Sequence, residues 1–132
     1  LGQFLEMTLA NGVIYATQAD GASALDAHTG KRLWSYKAHR QFSGFLAPLT
    51  ESDTLYISNF MSGLVALDIH TGNLRWQNQV GGNGIRPTLA AGTLFVGGGD
   101  GVIAAVRASD GTILWHFPTN GGMSFPSALT VA

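Results

Sequence analysis

Two histidines, His28 and His70, have the residue type and the repetition that could indicate a metal site. Each lies two residues after an aspartate, Asp26 or Asp68, within an Asp-x-x-Thr-Gly step. Imidazole and carboxylate groups are common metal ligands. The surrounding residues favour a structural interpretation, because this step is typical of a tight hairpin turn in which the carboxylate accepts backbone N–H groups. The two turns belong to different copies of a repeat, so we expect both histidines to be exposed and neither to bind a metal.

Two glycine-rich stretches, residues 81–84 and 97–101, superficially resemble phosphate-binding loops. Neither is followed by a helix that could hold an anion at its N-terminus, or by a Gly-Lys-Ser/Thr sequence. We therefore interpret both as turns. The chain has no cysteine, which excludes disulfides and thiolate metal sites. It also has no Gly-x-Ser-x-Gly elbow and no recurring Ser, His and Asp set. The sequence thus predicts no catalytic, cofactor-binding or metal-binding residue within this chain.

Composition narrows the possible partners. Of the 132 residues, 45% are hydrophobic and only 11% are charged, with a formal net charge of −1. A hydrophobic share of this size can bury a core, whereas nucleic-acid binding normally needs a concentrated basic face. No stretch approaches the roughly 18 apolar residues of a membrane span. We expect neither a nucleic-acid partner nor a membrane span.

The strongest signal in the chain is an internal repeat. Trp34, Trp76 and Trp115 are spaced 42 and 39 residues apart, and a glycine lies four residues before each of them. Short runs such as Val13–Thr17 alternate with Gly, Asp, Asn and Ser, which predicts β-strands and turns. A unit of four short strands that recurs every ~40 residues is typical of a β-propeller blade.

The predicted fold is therefore all-β, a partial β-propeller of three four-stranded antiparallel blades followed by the first strand of a fourth. The blades are placed at about residues 4–40, 45–81 and 85–120, and the additional strand at 126–132. In the third unit, Arg107 and Asp110 stand where the first two units have the aspartate and the threonine of the Asp-x-x-Thr-Gly step. Asp110-Gly111 is therefore left to form the turn.

The segments Ala24–Trp34, Ala66–Trp76 and Ala105–Trp115, which we name the tryptophan segments, resemble the tryptophan-docking motif of the pyrroloquinoline-quinone (PQQ) repeat, or quinoprotein, propellers. The first two match throughout, and the third keeps only Ala, Gly and Trp. The resemblance implies a structural docking role for nine residues: Ala24, Gly30, Trp34, Ala66, Gly72, Trp76, Ala105, Gly111 and Trp115.

In this family each tryptophan stacks between the alanine of its own segment and the glycine peptide of the next blade. The resemblance therefore places Trp34 against Gly72 and Trp76 against Gly111. A buried indole N–H needs an acceptor, and a backbone carbonyl near Ile69 or Ala108 is expected to supply it. Trp115 has no following blade here, so we expect it to be the most exposed of the three.

The resemblance supports two functions. One is a periplasmic or otherwise extracytoplasmic scaffold that binds protein, similar to the propeller lipoproteins that assist outer-membrane barrel assembly. The other is a piece of a PQQ-dependent alcohol or sugar dehydrogenase whose catalytic residues lie elsewhere. PQQ and Ca²⁺ are implied only in the second case. Arg86 precedes Pro87, near where axial residues arise in such blades, and is a candidate for a cofactor or partner contact. The remaining blades, or a second copy of the arc, are expected partners in either case.

Overall fold

The computed structural model describes residues 6–18, 20–38, 48–59, 63–78, 87–97 and 102–118, and within these ranges every helix or strand element is a strand. They form three four-stranded sheets in which each strand pairs antiparallel with its neighbours in sequence. The predicted fold class, three antiparallel propeller blades, is confirmed. Residues 126–132, predicted as the strand of a fourth blade, lie outside the described residues.

The first blade consists of β1 (Glu6–Ala10), β2 (Val13–Gln18), β3 (Gly21–Asp26) and β4 (Arg32–Lys37). The second consists of β5 (Leu49–Glu51), β6 (Thr54–Asn59), β7 (Gly63–Asp68) and β8 (Leu74–Asn78). The third consists of β9 (Thr88–Ala90), β10 (Thr93–Gly97), β11 (Val102–Arg107) and β12 (Ile113–Pro118).

The core lies between the blades. Successive residues of a strand face opposite sides of its sheet, and Leu64, Val65, Ala66 and Leu67 of β7 are all fully buried. Leu64 and Ala66 belong to the core shared with the third blade, whereas Val65 and Leu67 belong to the core shared with the first. A strand that is buried on both faces has a continuous run of apolar residues in its sequence. The middle of each repeat therefore lacks the alternation of apolar and polar residues that marks a half-buried strand.

Each of the two interfaces has its own apolar core. Between the first and second blades the buried residues are Tyr15, Ala22, Ala24, Trp34, Leu55, Ile57, Val65, Leu67 and Ile69. Between the second and third they are Tyr56, Leu64, Ala66, Leu94, Val96, Ala104, Val106 and Ala108.

A β-bulge precedes each tryptophan. In the first blade Ala24 pairs with Trp34 while the next residue, Leu25, pairs with Arg32, so Leu33 is an extra residue. The register shifts at the same position after Ala66 and after Ala105. A bulge bends the strand and changes the direction of a side chain. Here it places each tryptophan opposite the alanine of its own segment.

In the first and third blades, the turn between the first two strands has a left-handed backbone at both central residues. Asn11 and Gly12 have φ of 52° and 77°, and Ala91 and Gly92 have φ of 50° and 76°. Positive φ at both central residues is required by the type I′ hairpin, which prefers Asn-Gly. Ala91 therefore occupies a position that suits asparagine better.

We expect Ala91→Asn to raise the free energy of unfolding by about 1 kcal/mol, because alanine is strained in the left-handed region and asparagine tolerates it. Asn11→Ala is the reciprocal control and should lower it by a similar amount. Both residues are exposed, so packing hardly changes. Urea unfolding would measure the two variants, and a destabilised Ala91→Asn protein would contradict the assigned turn.

Candidate functional site

The contact between the first and second blades is centred on Trp34. Its indole N–H donates to the carbonyl oxygen of Ile69 over 2.9 Å, and the side chain is buried, with 8% of its surface exposed. Within its own sheet, Trp34 is paired with Ala24, which is fully buried. One residue thus supplies a large apolar surface and a hydrogen bond that crosses from one blade to the next.

The contact between the second and third blades repeats this arrangement. The indole N–H of Trp76 donates to the carbonyl oxygen of Ala108 over 2.9 Å, and the Tyr56 hydroxyl donates to the same oxygen over 3.3 Å. The Asn78 side-chain amide donates to the carbonyl of Gly111 over 3.0 Å. Three side chains of one blade therefore donate hydrogen bonds to two backbone carbonyls of the next tryptophan segment, those of Ala108 and Gly111.

The glycine in each receiving segment leaves the space for the ring. A Cβ atom built on Gly72 would lie 2.7 Å from Cδ2 of Trp34, and one built on Gly111 would lie 2.6 Å from Cδ2 of Trp76. Both distances are much shorter than a van der Waals contact. Gly30 has the same φ of 77°, but a Cβ atom there would have no heavy atom within 4 Å. In the part of the chain that the structure describes, the slot is therefore filled by a ring at Gly72 and at Gly111 and is open at Gly30.

The third tryptophan has no receiving blade among the described residues. Trp115 has 45% of its surface exposed and is the most exposed of the three, as expected from the repeat. Gly30 and Ala105, the remaining members of the predicted set, make no inter-blade ring contact with the residues that the structure describes. Gly30 is exposed in its turn, and Ala105 is buried opposite Trp115 within its own sheet.

An aromatic residue supports each tryptophan, and the sequence reasoning missed it. Tyr15 and Trp34 have ring centroids 6.2 Å apart, Tyr56 and Trp76 6.1 Å, and Phe95 and Trp115 6.3 Å, all in tilted arrangements. Tilted aromatic pairs at this distance are favourable beyond their buried area. The signal was available, because the three residues occupy the same position of the second strand in each repeat.

The aspartates of the first two segments hold their own turns. The backbone N–H groups of Thr29 and His28 donate to the Asp26 carboxylate over 3.0 and 2.7 Å and hold its pKa below the ordinary 3.8. The pKa of Asp68 is also lowered, first by the backbone N–H of His70 and then by the guanidinium of Arg75. These carboxylates are structural acceptors.

The third turn keeps the backbone geometry with different side chains. The N–H of Gly111 donates to the carbonyl of Arg107 over 2.8 Å, as Gly30 and Gly72 do to the corresponding aspartates. The carboxylate of Asp110 accepts the N–H of Thr112 at 2.9 Å and lies 3.2 Å from the guanidinium of Arg107. Asp110 thus performs the role that a threonine hydroxyl performs in the other turns, where Thr29 accepts from Lys31.

These pKa shifts predict how acid affects stability. A carboxylate with a lowered pKa in the folded state stabilises the protein above its unfolded pKa, and this contribution is lost as the pH falls through the folded pKa. We expect Asp68→Asn to lower the melting temperature at pH 7, with a difference from the native protein that shrinks as the pH falls below 3.8. Asparagine keeps an acceptor for the turn, so mainly the charge is removed.

Asp26→Asn is the matched control. The described residues give Asp26 backbone donors but no ion pair, whereas Asp68 lies 3.1 Å from the guanidinium of Arg75. The loss at pH 7 should therefore be smaller for Asp26→Asn. Melting curves between pH 2 and pH 8 would measure both variants. A loss for Asp68→Asn that is equally large at pH 2 and pH 7 would contradict the assigned charge interaction.

The two histidines whose repetition could indicate a metal site do not come together in the structure. His28 and His70 lie exposed in turns of different blades. Among residues 6–18, 20–38, 48–59, 63–78, 87–97 and 102–118, no three His, Cys, Asp or Glu side chains are grouped closely enough to hold a metal ion. Arg86 and most of the two glycine-rich stretches lie outside these ranges.

A polar depression lies on the first blade, lined by residues that include Gln18, Arg32, Ser35 and Tyr36. At its edge the Lys37 ammonium is 3.7 Å from the Asp20 carboxylate, and the lysine side chain is 80% exposed. An ion pair so exposed contributes little free energy.

The described part of the chain also contains no helix that is long and apolar enough to cross a membrane.

Comparison with known proteins places these blades in a family. Residues 2–84 match the family described as outer membrane protein assembly factor BamB. The chain is 29% identical over 113 residues to outer membrane protein assembly factor BamB of Yersinia pestis, covering 77% of this chain and 29% of that protein. It is also 32% identical over 141 residues to the dehydrogenase subunit of the alcohol dehydrogenase (quinone) of Gluconobacter oxydans, covering 84% of this chain and 18% of that protein.

Among solved structures, BamB from Moraxella catarrhalis matches with a TM-score of 0.68 and 27% identity, covering 87% of this chain and 37% of that one. The chain thus spans about a fifth to a third of the length of the relatives it matches. The family match covers more than half of the chain, and the same tryptophan–carbonyl contact recurs at both of its blade interfaces. This chain is a segment of a PQQ-repeat β-propeller and belongs to the BamB family.

Proposed function

We propose that this segment acts as a structural and protein-binding scaffold in the periplasm, as part of a propeller that takes part in outer-membrane protein assembly. The observation that carries the proposal is the match of residues 2–84 to a family described by that role. The engagement of the Asp26 and Asp68 carboxylates in their own turns supports it, because these groups hold structure.

The nine predicted residues are assigned to docking between blades. Two complete sets support this assignment: Trp34 with Ala24 and Gly72, and Trp76 with Ala66 and Gly111. Trp115, Ala105 and Gly30 are the incomplete members, and in the proposal they dock against further blades. No residue of the set contacts a substrate or a cofactor in this assignment.

Exposed aliphatic residues on the last strand of each blade offer a contact surface for a protein partner. Leu33, Leu74, Ile113 and Leu114 are between 43% and 49% exposed, on strands that form one edge of each sheet. Aliphatic side chains beside unpaired strand edges are suited to binding an extended segment of another protein. We name these four residues the edge aliphatics.

The scaffold role can be tested by competition. The chain would be exported to the periplasm of a Gram-negative bacterium that contains its own BamB, and folded outer-membrane protein would be quantified by its heat-modifiable mobility. We expect less folded protein, because the segment occupies a partner's binding surface. The variant Leu33→Ser/Leu74→Ser, which changes only exposed side chains, should compete less. An unchanged amount of folded protein, or equal competition by the variant, would contradict the proposal.

The second candidate is a segment of a quinone-dependent alcohol dehydrogenase, favoured by the 32% identity to the Gluconobacter oxydans subunit. In that case PQQ and Ca²⁺ would be held by residues other than the described ones. The test is dye reduction by the chain with added PQQ, Ca²⁺ and ethanol, and we expect none. Turnover above the protein-free control would favour the enzyme over the scaffold.

A further inference from the structure

The first and third blades carry the two unused halves of the blade–blade contact. Within the described residues this contact is made twice, and each time it needs an indole on one face and a carbonyl with an open glycine slot on the other. Trp115 is the third indole. The turn of the first blade, with Ala27 and Gly30, holds the equivalent of the receiving positions Ile69–Gly72.

The receiving half is already in the binding conformation. The N–H of Ala27 donates to the carbonyl of Gly12 over 2.9 Å, as Ile69 does to Asp53 and Ala108 does to Gly92 at the same distance. Gly30 has φ of 77°, equal to that of Gly72, and the space above it is empty within 4 Å. The Ala27 carbonyl and the Gly30 slot therefore match a site that binds an indole elsewhere in this chain.

The donating half is also in place. Trp115 lies opposite the fully buried Ala105, and its ring is held by Phe95 at 6.3 Å, like the two docked tryptophans by their tyrosines. Within the described residues its indole N–H has no acceptor, although 45% of the side chain is exposed. No rearrangement of the third blade is needed for it to dock.

The outer face of the first blade, which carries the receiving half, is also apolar and partly exposed. Leu9 is 67% exposed, whereas Leu89, at the same register position of the third blade, packs against the second interface core. Ile14 is partly exposed, although its equivalents Leu55 and Leu94 are fully buried. Soluble monomers rarely expose large contiguous apolar patches, so this face favours a partner that is itself a blade of this type.

We propose that the 132-residue chain associates head to tail with a second copy of itself, with Trp115 of one copy docked on the Ala27 carbonyl and Gly30 slot of the other. The contact is heterologous, so it closes when the partner's Trp115 returns to the first copy. Two copies bring six blades together, within the four to eight with which propellers close. In a longer chain the same two faces would receive further blades of that chain.

Sedimentation velocity over a range of protein concentrations tests the association. We expect concentration-dependent formation of dimers, accompanied by a blue shift of tryptophan fluorescence as Trp115 leaves water. Trp115→Ala and Gly30→Asn should each weaken association about 30-fold or more, as expected for an anchor residue at the centre of an interface. Asparagine tolerates the positive φ of Gly30 and fills the slot.

Gly12→Asn is the matched control for backbone strain. Gly12 also has φ of 77° with no atom within 4 Å, and its equivalent Gly92 is equally free although the third blade is packed on the second. This variant should associate like the native chain. Circular dichroism would verify that all variants keep their strands.

Mixing the two weakened variants distinguishes the head-to-tail contact from other dimers. A Trp115→Ala copy retains its Gly30 slot, and a Gly30→Asn copy retains its tryptophan, so the mixture has one intact contact and should form dimers that neither variant forms alone. A strictly monomeric native chain would overturn the proposal. Dimers that persist in both variants, or a mixture that remains monomeric, would overturn it equally.

Discussion

Replacing Trp34 by alanine is expected to lower the free energy of unfolding by about 3–5 kcal/mol, the usual cost of removing a large buried aromatic side chain. The ring is 8% exposed and belongs to the first interface core. Its loss leaves a cavity against Gly72 and an unpaired carbonyl at Ile69. Urea unfolding followed by circular dichroism would measure the effect, since tryptophan fluorescence changes with the substitution itself.

Two variants separate the parts of this effect. Trp34→Phe keeps an aromatic ring but removes the N–H that donates to Ile69, and should cost about 1–2 kcal/mol from the unpaired acceptor. Trp115→Ala removes the same residue type at the equivalent position of the third blade, where 45% is exposed, and should cost less than Trp34→Ala. Equal losses for Trp34→Ala and Trp115→Ala would contradict the inter-blade role of Trp34.

The second large effect is expected at Gly72. In Gly72→Ala the new methyl group would lie 2.7 Å from Cδ2 of Trp34, so the indole or the turn must move. Overpacking of this kind costs about 1–3 kcal/mol, in addition to about 1 kcal/mol for placing alanine at a positive φ. The expected total loss is therefore about 2–4 kcal/mol in the free energy of unfolding.

Gly30→Ala is a closely matched control, because Gly30 and Gly72 share a φ of 77° and the same place in their turns. On the dilute, monomeric chain the control meets no atom within 4 Å, so it should show only the backbone cost of about 1 kcal/mol. The difference between the two variants isolates the contact with Trp34. Gly111→Ala should resemble Gly72→Ala. Equal losses at Gly30 and Gly72 would contradict the ring contact.

The repeat made the fold predictable. Three copies in register indicate three equivalent units, and period-2 runs bounded by Gly, Asp and Asn indicate strands. The run Val13–Thr17, predicted as a strand, lies within β2 (Val13–Gln18). The turns could also be predicted from the local sequence. In the Asp-x-x-Thr-Gly step, the aspartate carboxylate accepts the backbone N–H groups two and three residues later and so closes the hairpin.

Features that depend on the packing of sheets were less accessible. The bulges before the tryptophans leave no mark in the periodicity. A strand with one extra residue and a regular strand joined by a turn one residue longer give the same spacing between paired residues. The carbonyl of Ala108 accepts hydrogen bonds from both Trp76 and Tyr56. This could be predicted only if the convergence of two side chains from different strands were already known. Asp110 was expected only to form a turn with Gly111, whereas it also pairs with Arg107.

The three units, their strands and their turns follow from residues close together in the chain, so they could be predicted from the sequence. Which indole is paired and which is open depends on how the blades pack against each other. Trp34, Trp76 and Trp115 have nearly the same local surroundings, and they differ because a blade follows the first two within the described residues and not the third. Burial and hydrogen bonding between sheets depend on distant neighbours, which a local pattern does not contain.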